Sequence, residues 1–333
     1  MRILVTGGTG FIGRQLMHHL IERFGAGSIT CLVHASCKPL ESDAAASFEA
    51  VGVTLVHGDL TSTPVSAAPA PTVDLVFHLG ANIDTDTPEH EHRVNDAGTA
   101  NLLEWLGPNL HGCRIVYTSS IDVHDRTGLA HGPLREDSPF TPRTAYGATK
   151  LRGEEILKGA ATRQGFTWTI TRLPTVYGPG GKAGGMFDLI IAGVRTGGLL
   201  SRINWPGRSS VIFVDDVAAI LTDLALRPSA ANEIYCVSSG EDLTLADISR
   251  EAGAIVGRPL RPLRLPSAAW AVIRRVAWSP VVRVLVPRRA HVTYWRLTLV
   301  VDDGFWYDAR KFLAQNTLPL VQIREGLRRT IDG

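Results

Sequence analysis

Tyr146 and Lys150 stand four residues apart, a spacing that on a helix places both side chains on one face. A phenol and an ammonium so placed can meet one bound molecule. A free phenol has a pKa near about 10, too high for a base at neutral pH. A neighbouring ammonium stabilises the phenolate and lowers that value, so the pair reads as a proton-transfer device. Ser120 adds a hydroxyl able to hold a substrate oxygen in line with the phenol. The three residues together suit acid–base chemistry at a hydroxyl or carbonyl carbon. A Tyr-x-x-x-Lys alone also arises by chance as a surface pair, so its meaning depends on the elements that carry it.

The first of those elements is Arg2-Ile-Leu-Val-Thr-Gly-Gly-Thr-Gly-Phe-Ile-Gly13. Residues 3–5 read as a short buried strand, and the glycines turn the backbone straight into a helix from Phe11. Ile12, Leu16 and Leu20 recur every four residues, one apolar face for packing on a sheet. In such a turn Gly7 permits the tight bend, Gly10 lets a pyrophosphate approach, and Gly13 lets helix and strand pack closely. The helix N-terminus supplies unpaired N–H groups and a positive dipole end. Gly7, Gly10, Phe11, Ile12 and Gly13 are therefore expected to contact a dinucleotide. Its nicotinamide ring, when positive, would act on the Tyr146 phenol in the same sense as Lys150.

Residues 28–33 read as the second strand, whose end selects the cofactor. An acid there accepts the ribose hydroxyls of NAD, whereas a base favours the extra phosphate of NADP. Val33 takes the acid's place, with His34 next and Lys38 beyond, so NADP(H) is expected in preference to NAD(H). Residues 53–56 alternate into a third strand, and Asp59 and Leu60 follow where the adenine edge meets the sheet. Residues 62–72, rich in Pro, Ala and Ser, read as a surface connection. Residues 75–79 form the apolar run of a doubly covered parallel strand. It ends at Leu79, Gly80 and Ala81, where small residues let the cofactor pass, and His78 reads as a satisfied core residue.

A helix over 95–105 and a strand over 114–118 come next, the strand delivering Thr118, Ser119 and Ser120 to the carboxyl edge of the sheet. That edge is where open α/β sheets bind ligands. A long loop with Gly128, Gly132, Pro133, Pro139 and Pro142, of the kind that is usually functional, leads to a helix over 149–157. A sixth strand over 167–172 feeds a loop over 174–185, whose Pro174 and Val176 are expected beneath the nicotinamide. Residues 186–194 read as an amphipathic helix and 211–214 as a short strand. Asp215 and Asp216 open a helix with acids in its first turn, a helix start rather than a metal site. No metal is expected. Residues 234–238 are the last strand.

Composition suits an ordinary globular enzyme, with 44% hydrophobic and 20% charged residues over 333 positions. A net charge of +2 calls for neither nucleic acid nor membrane as partner. Cys31, Cys37, Cys113 and Cys236 show no metal-ligand spacing and no disulfide framework, so a cytoplasmic protein is the expectation. The first strand begins too early for a signal peptide, and no apolar run of about 18 residues lacks a charge.

In these motifs the chain resembles the extended short-chain dehydrogenase/reductase family, the NAD(P)-dependent epimerase/dehydratase group. The matching segments are Thr6-Gly-Gly-Thr-Gly-Phe-Ile-Gly13, Gly58-Asp-Leu60, His78-Leu-Gly-Ala81, Asn95, Thr118-Ser-Ser120 and Tyr146-x-x-x-Lys150. Arg172-Leu-Pro-Thr-Val-Tyr-Gly-Pro179 and Phe213-Val-Asp-Asp-Val217 continue the series over nearly the whole chain. The resemblance implies a doubly wound parallel Rossmann sheet with a smaller C-terminal substrate-binding lobe. The expected division is 1–174, completed by 211–240, for the dinucleotide and 175–210 with 241–333 for substrate. It also implies Ser120 as orienter, Tyr146 as acid/base, Lys150 as ribose binder and modulator, and a homodimer packed through the helices at 95–105 and 149–157. Two departures stand out: Gly80 replaces the usual alanine, which is harmless, and Val33 replaces the acid.

Members that act on nucleotide sugars place an arginine five residues before the valine of Val-Asp-Asp and an asparagine after the sixth strand. Here Ser209 and Pro174-Thr175 stand there, with Arg208 one place off. Ser119-Ser-Ile-Asp-Val123 and Asn82-Ile-Asp84 instead resemble the steroid-dehydrogenase and ketone-reductase branch. The expected substrate is therefore a bulky, apolar, steroid-like alcohol or ketone touching Asp84, Ser120, Tyr146 and Arg208. A nucleotide-sugar epimerase or dehydratase is the alternative, and a non-catalytic dinucleotide-binding module a second one. From Ala252 to Val301 there is no acidic residue, yet nine arginines fall there among tryptophans and valines. That segment reads as a lid over substrate or, over 258–296, as a peripheral membrane or partner surface.

Overall fold

The computed structural model describes every residue except 35, 37, 125–131, 242, 287–293, 295–297, 299 and 302–304. Short apolar segments become a seven-stranded parallel sheet flanked by helices. Its strands are β1 (Ile3–Thr6), β2 (Ile29–His34), β3 (Thr54–Gly58), β4 (Leu75–His78), β5 (Arg114–Ser120), β6 (Thr167–Leu173) and, after three short strands, β10 (Glu233–Cys236). They lie in the order β10-β6-β5-β4-β1-β2-β3, so the chain starts in the middle and reverses direction across the sheet between β1 and β4. At that reversal the carboxyl ends of β1 and β4 open side by side, Thr6 opposite His78. The crevice outside such a switch point is where this architecture binds ligands.

Helices α1 (Phe11–Phe24), α2 (Pro39–Ala50), α3 (Ala97–Leu106), α4 (Ala145–Gln164) and α6 (Val214–Leu226) belong with this sheet. Leu102, Leu106 and Leu157 from α3 and α4 pack with Leu4, Val76, Ile115 and Ile170 from the strands. Each such fully buried side chain contributes about 1.5–3 kcal/mol. On α1, Leu16, Met17 and Leu20 are fully buried, as the four-residue periodicity required, and α1 packs against α6.

The described chain divides into two compact units. The first holds Met1–Val123, Pro142–Leu173 and Val214–Tyr235; the second holds His124–Thr141, Pro174–Phe213 and Cys236–Gly333. The sequence reading ran 1–174 as one piece, but residues 124–141 group with the second unit, where Leu134 forms a backbone bridge to Tyr307. That second unit contains β7 (Thr175–Tyr177) paired with β9 (Val211–Phe213), and β8 (Arg208–Ser209) paired with β11 (Leu243–Thr244). Its helices include α5 (Met186–Thr196), α7 (Leu245–Ile255), α8 (Ser267–Ala277), α9 (Pro280–Leu285) and a C-terminal helix, Ile323–Asp332. Tyr177 stacks on Phe187 in the core they share with Val194, Phe213, Ile248 and Leu327.

Several boundaries move for physical reasons. α4 starts at Ala145, not Thr149, because the Thr144 hydroxyl caps it by accepting from the Gly147 N–H at 3.0 Å. β5 runs on to Ser120, so Ser119 and Ser120 sit on the strand itself, opposite Arg172 and Leu173. Residues 62–72 are not wholly superficial: Val65 and Ser66 are buried, and Ser66 donates to the His57 carbonyl at 2.7 Å. The expected loop glycine Gly128 lies outside the described residues.

Candidate functional site

Ser120 closes β5 and Tyr146 lies in the first turn of α4, near enough for the Ser120 hydroxyl to act on the Tyr146 phenol. The Tyr146 side chain is half-buried. Burial pushes that phenol above its ordinary value and Asp122 adds to the effect, while the Ser120 hydrogen bond pulls the other way. Lys150, one turn further in, is 1% exposed, and its Nζ lies 4.0 Å from the centre of the Tyr117 ring. Burial brings Lys150 down to about 7, against the upward pull of Glu154. The three expected residues thus come together on β5 and α4. Their electrostatics differ from the expectation, because the ammonium rests on Tyr117 and burial, not Lys150, dominates the Tyr146 phenol. With its phenol raised, Tyr146 keeps its proton.

α4 is held against the sheet by polar contacts that the sequence did not advertise. Glu154 and Arg172 are fully buried and paired, Arg172 Nη2 donating to Glu154 Oε2 at 2.8 Å. Ser119 donates to the same carboxylate at 2.6 Å. A Cβ on Gly153 would come within 2.3 Å of the Tyr117 hydroxyl and 2.6 Å of the Asn95 carbonyl, so glycine is what permits this close approach. The Asn95 side chain accepts from the Asn82 N–H at 2.8 Å and donates to the Thr149 hydroxyl at 3.0 Å. Buried His92, not among the expected site residues, bonds Thr87 at 2.9 Å and lies 6.3 Å from the Tyr146 ring centre.

The glycine turn fits a dinucleotide. Gly7 has φ +71°, and a Cβ there would fall 2.7 Å from the Gly80 nitrogen. A Cβ on Gly13 would lie 2.0 Å from the Gly7 carbonyl oxygen. Both positions therefore admit only glycine, which brings the start of α1 against the ends of β1 and β4. α1 begins at Gly10 with no capping side chain and no acid in its first turn, leaving N–H groups and the positive dipole end for a phosphate. Phe11 and Ile12 form that first turn.

Around this turn the other expected contacts fall into two groups. His78 is a core residue as expected: its ring nitrogens meet Thr6 at 2.7 Å and Thr99 at 3.0 Å, and burial lowers it to about 3. Thr118 bonds the His78 carbonyl, and Leu79 bonds back to Thr6. A Cβ on Gly80 would meet the tip of the flexible Leu60 side chain at 2.8 Å and the Thr6 hydroxyl at 3.2 Å. Ala81 follows it, partly buried. Val33 is 1% exposed within the β2 pairing, so its side chain faces the interior. His34, the last residue of β2, is exposed. Its Nδ1 accepts from the Ser36 N–H at 3.1 Å, and its Nε2 lies 3.7 Å from Asp59. Asp59 is partly tied up locally, accepting from the Thr61 N–H and hydroxyl at 2.8 Å.

Asp84 shapes its own loop, accepting from the Asp86 N–H at 3.1 Å while its own N–H donates to Asn82. Pro174, Val176 and Arg208 belong to the second unit. Val176 pairs with Ile212, and the Arg208 guanidinium lies 5.2 Å from the Trp306 ring centre. Ser209 pairs with Leu243. Asp215 and Asp216 sit in the first turn of α6. Among the described residues no cluster is suited to a metal ion.

The family model for the NAD dependent epimerase/dehydratase family matches residues 3–238. A UDP-glucose 4-epimerase of Vibrio cholerae is 24% identical over 331 residues, covering 94% of this chain and 96% of its own. A 2-alkyl-3-oxoalkanoate reductase of Stenotrophomonas maltophilia is 27% identical, covering 99% of this chain and 98% of its own. Among solved structures, a dTDP-glucose 4,6-dehydratase from Streptomyces venezuelae with NAD and TYD bound superposes with a TM-score of 0.73 at 23% identity. That match covers 100% of this chain and 96% of the other, and it shows the shared fold.

Proposed function

The chain belongs to the NAD dependent epimerase/dehydratase family, and from that premise we propose that it interconverts a hydroxyl and a ketone at Ser120, Tyr146 and Lys150. One observation carries the reading: Ser120 at the end of β5 beside Tyr146 in the first turn of α4, with Lys150 buried one turn away on the same helix. A bound nicotinamide dinucleotide supplies or accepts the hydride. Ser120 orients the substrate oxygen, and Tyr146 gives that oxygen its proton or takes it back. The Lys150 ammonium holds the ribose hydroxyls, and the α1 N-terminus holds the pyrophosphate. NADP(H) is the proposed preference, resting on His34 at the end of β2 and no acid on that strand.

For the substrate, the relatives weigh toward a nucleotide sugar rather than the steroid-like compound expected from the sequence. UDP-glucose 4-epimerases and dTDP-glucose 4,6-dehydratases recur among them. A second reading, reduction of an apolar ketone, has its own support. The oxoalkanoate reductase matches end to end, and Ser209 stands where a diphosphate-binding arginine is usual.

The test is a panel of UDP- and dTDP-sugars and long-chain β-keto acids, with NAD or NADP present, followed by thermal shift and nicotinamide absorbance. Saturable stabilisation by a nucleotide sugar is expected. Turnover of the keto acids with no sugar binding moves the protein to the second reading. Tyr146→Phe should lose about 10²–10⁴-fold in turnover while retaining the dinucleotide. Full activity in that variant would remove Tyr146 from the chemistry.

A further inference from the structure

The surface of α8 is turned the wrong way for a helix of a globular core. Trp270 is buried beneath it and Arg274 donates to the Val301 carbonyl at 2.9 Å, so these residues mark its inner side. On the outer side Val272 is 63% and Val276 54% exposed, with Ile273 beside them. An exposed apolar patch of this kind marks an interaction site. α9 repeats the pattern, with Val281 and Leu285 exposed.

The patch extends beyond the helix. Leu263 bonds through its backbone to Arg202 and Asn204, and the neighbouring Leu199 and Leu200 are both exposed. Trp205 links the two parts, its indole N–H donating to the Leu200 carbonyl at 2.9 Å and its ring lying 5.6 Å from Trp270. Exposed arginines accompany this apolar surface, among them Arg261, Arg264 and Arg275. No acidic residue occurs from Ala252 to Val301.

We propose that this face of the second unit, α8 and α9 with the exposed Leu199, Leu200 and Leu263, docks on an anionic lipid surface. Apolar side chains would enter the acyl boundary while arginines meet the headgroup phosphates. Charge decides against a second copy of the chain, because a two-fold contact would set arginine against arginine. Among the described residues no helix is long and apolar enough to cross a membrane, so the contact is peripheral. The inference stands apart from the redox reading, since it uses none of that site's residues.

Co-sedimentation of the full chain with phosphatidylcholine vesicles, with and without phosphatidylglycerol, tests it. The protein should bind the anionic vesicles strongly, weakly at high salt, and hardly bind the neutral ones. Each arginine near such a surface contributes about fivefold, so Arg261→Gln/Arg264→Gln/Arg275→Gln should lose about a hundredfold in partitioning. Val272→Asp/Val276→Asp should abolish binding with an unchanged thermal transition, both positions being exposed. Equal binding to neutral vesicles, no binding to either, or intact binding by the valine variant overturns the proposal. So does a concentration-dependent dimer, measured by sedimentation velocity, that the valine variant dissociates. A higher KM in that variant with vesicle binding intact would make the face a substrate lid and also overturn it.

Discussion

Lys150 is where burial has the most direct chemical consequence. Its ammonium is the form below about 7, and that form is lost as pH rises through this value. The kcat/KM for dinucleotide reports groups of the free enzyme. It should therefore fall above about pH 7, approaching tenfold per pH unit, as the ribose-binding charge disappears. Lys150→Met, similar in length and neutral, should lower the rate and flatten that limb. Tyr146 should add no break below about pH 10, because burial raises its phenol. A break near 7 that persists in Lys150→Met would assign it to another group. His34 is the second residue with a readable role. A Ser36 N–H on Nδ1 leaves the proton on Nε2, toward Asp59 and the end of β3. Losing a hydrogen bond to a charged group costs about 1.5–3 kcal/mol. His34→Asp should thus weaken NADP(H) by at least roughly tenfold and favour NAD(H), measured by titration calorimetry. Unchanged NADP(H) affinity would remove His34 from cofactor choice.

At the scale of elements, α4 has to keep its first turn against the end of β5, and the buried Arg172–Glu154 pair is the clasp. Burial pulls the Glu154 carboxyl up, but Arg172 and Ser119 outweigh it and hold the carboxyl below its usual value. Its contribution is therefore present above the unfolded carboxyl's pKa and lost as pH falls through the lower folded one. Arg172→Met strands a carboxylate with no exposure and should cost about 3–5 kcal/mol in urea unfolding. Adding Glu154→Gln should return much of that. A near-neutral Arg172→Met would mean that the pair contributes little. These elements also show what could be read in advance. β1, β4 and β5 were legible because a doubly covered strand is a continuous apolar run. The Ser120–Tyr146–Lys150 grouping was legible because strand end and helical spacing are local facts. The Glu154–Arg172 pair was not, since charged residues ordinarily belong at the surface and their 18-residue separation carries no pattern. α2 buries only Ala45 and Phe48 and so lacks a periodic face. That Val33 is buried and His34 exposed was not legible either, because only the sheet's register decides it.

At the scale of the whole molecule, the proposed chemistry and the proposed substrate contacts lie in different parts of the chain. The first unit carries Tyr146 and the glycine turn; the second carries Arg208, Trp306 and the arginine-rich helices. A nucleotide sugar brings a diphosphate, and desolvating its charges without a cation costs several kcal/mol per ion. Arg208 is one residue from the usual place of that cation, and its guanidinium now lies over Trp306. An aromatic contact of this kind is worth only about 0.5–2 kcal/mol, less than a guanidinium gains on a phosphate through charge-assisted hydrogen bonds. The nucleotide-sugar reading therefore requires Arg208 to leave the ring for the diphosphate. Arg208→Ala should then raise KM for a UDP- or dTDP-sugar by roughly tenfold to a hundredfold, at about 1.4 kcal/mol per factor of ten, with kcat little changed. An unchanged KM in Arg208→Ala would show that no diphosphate reaches this side chain. The apolar ketone reading would then take precedence, with Ser209 in place of the arginine as its mark.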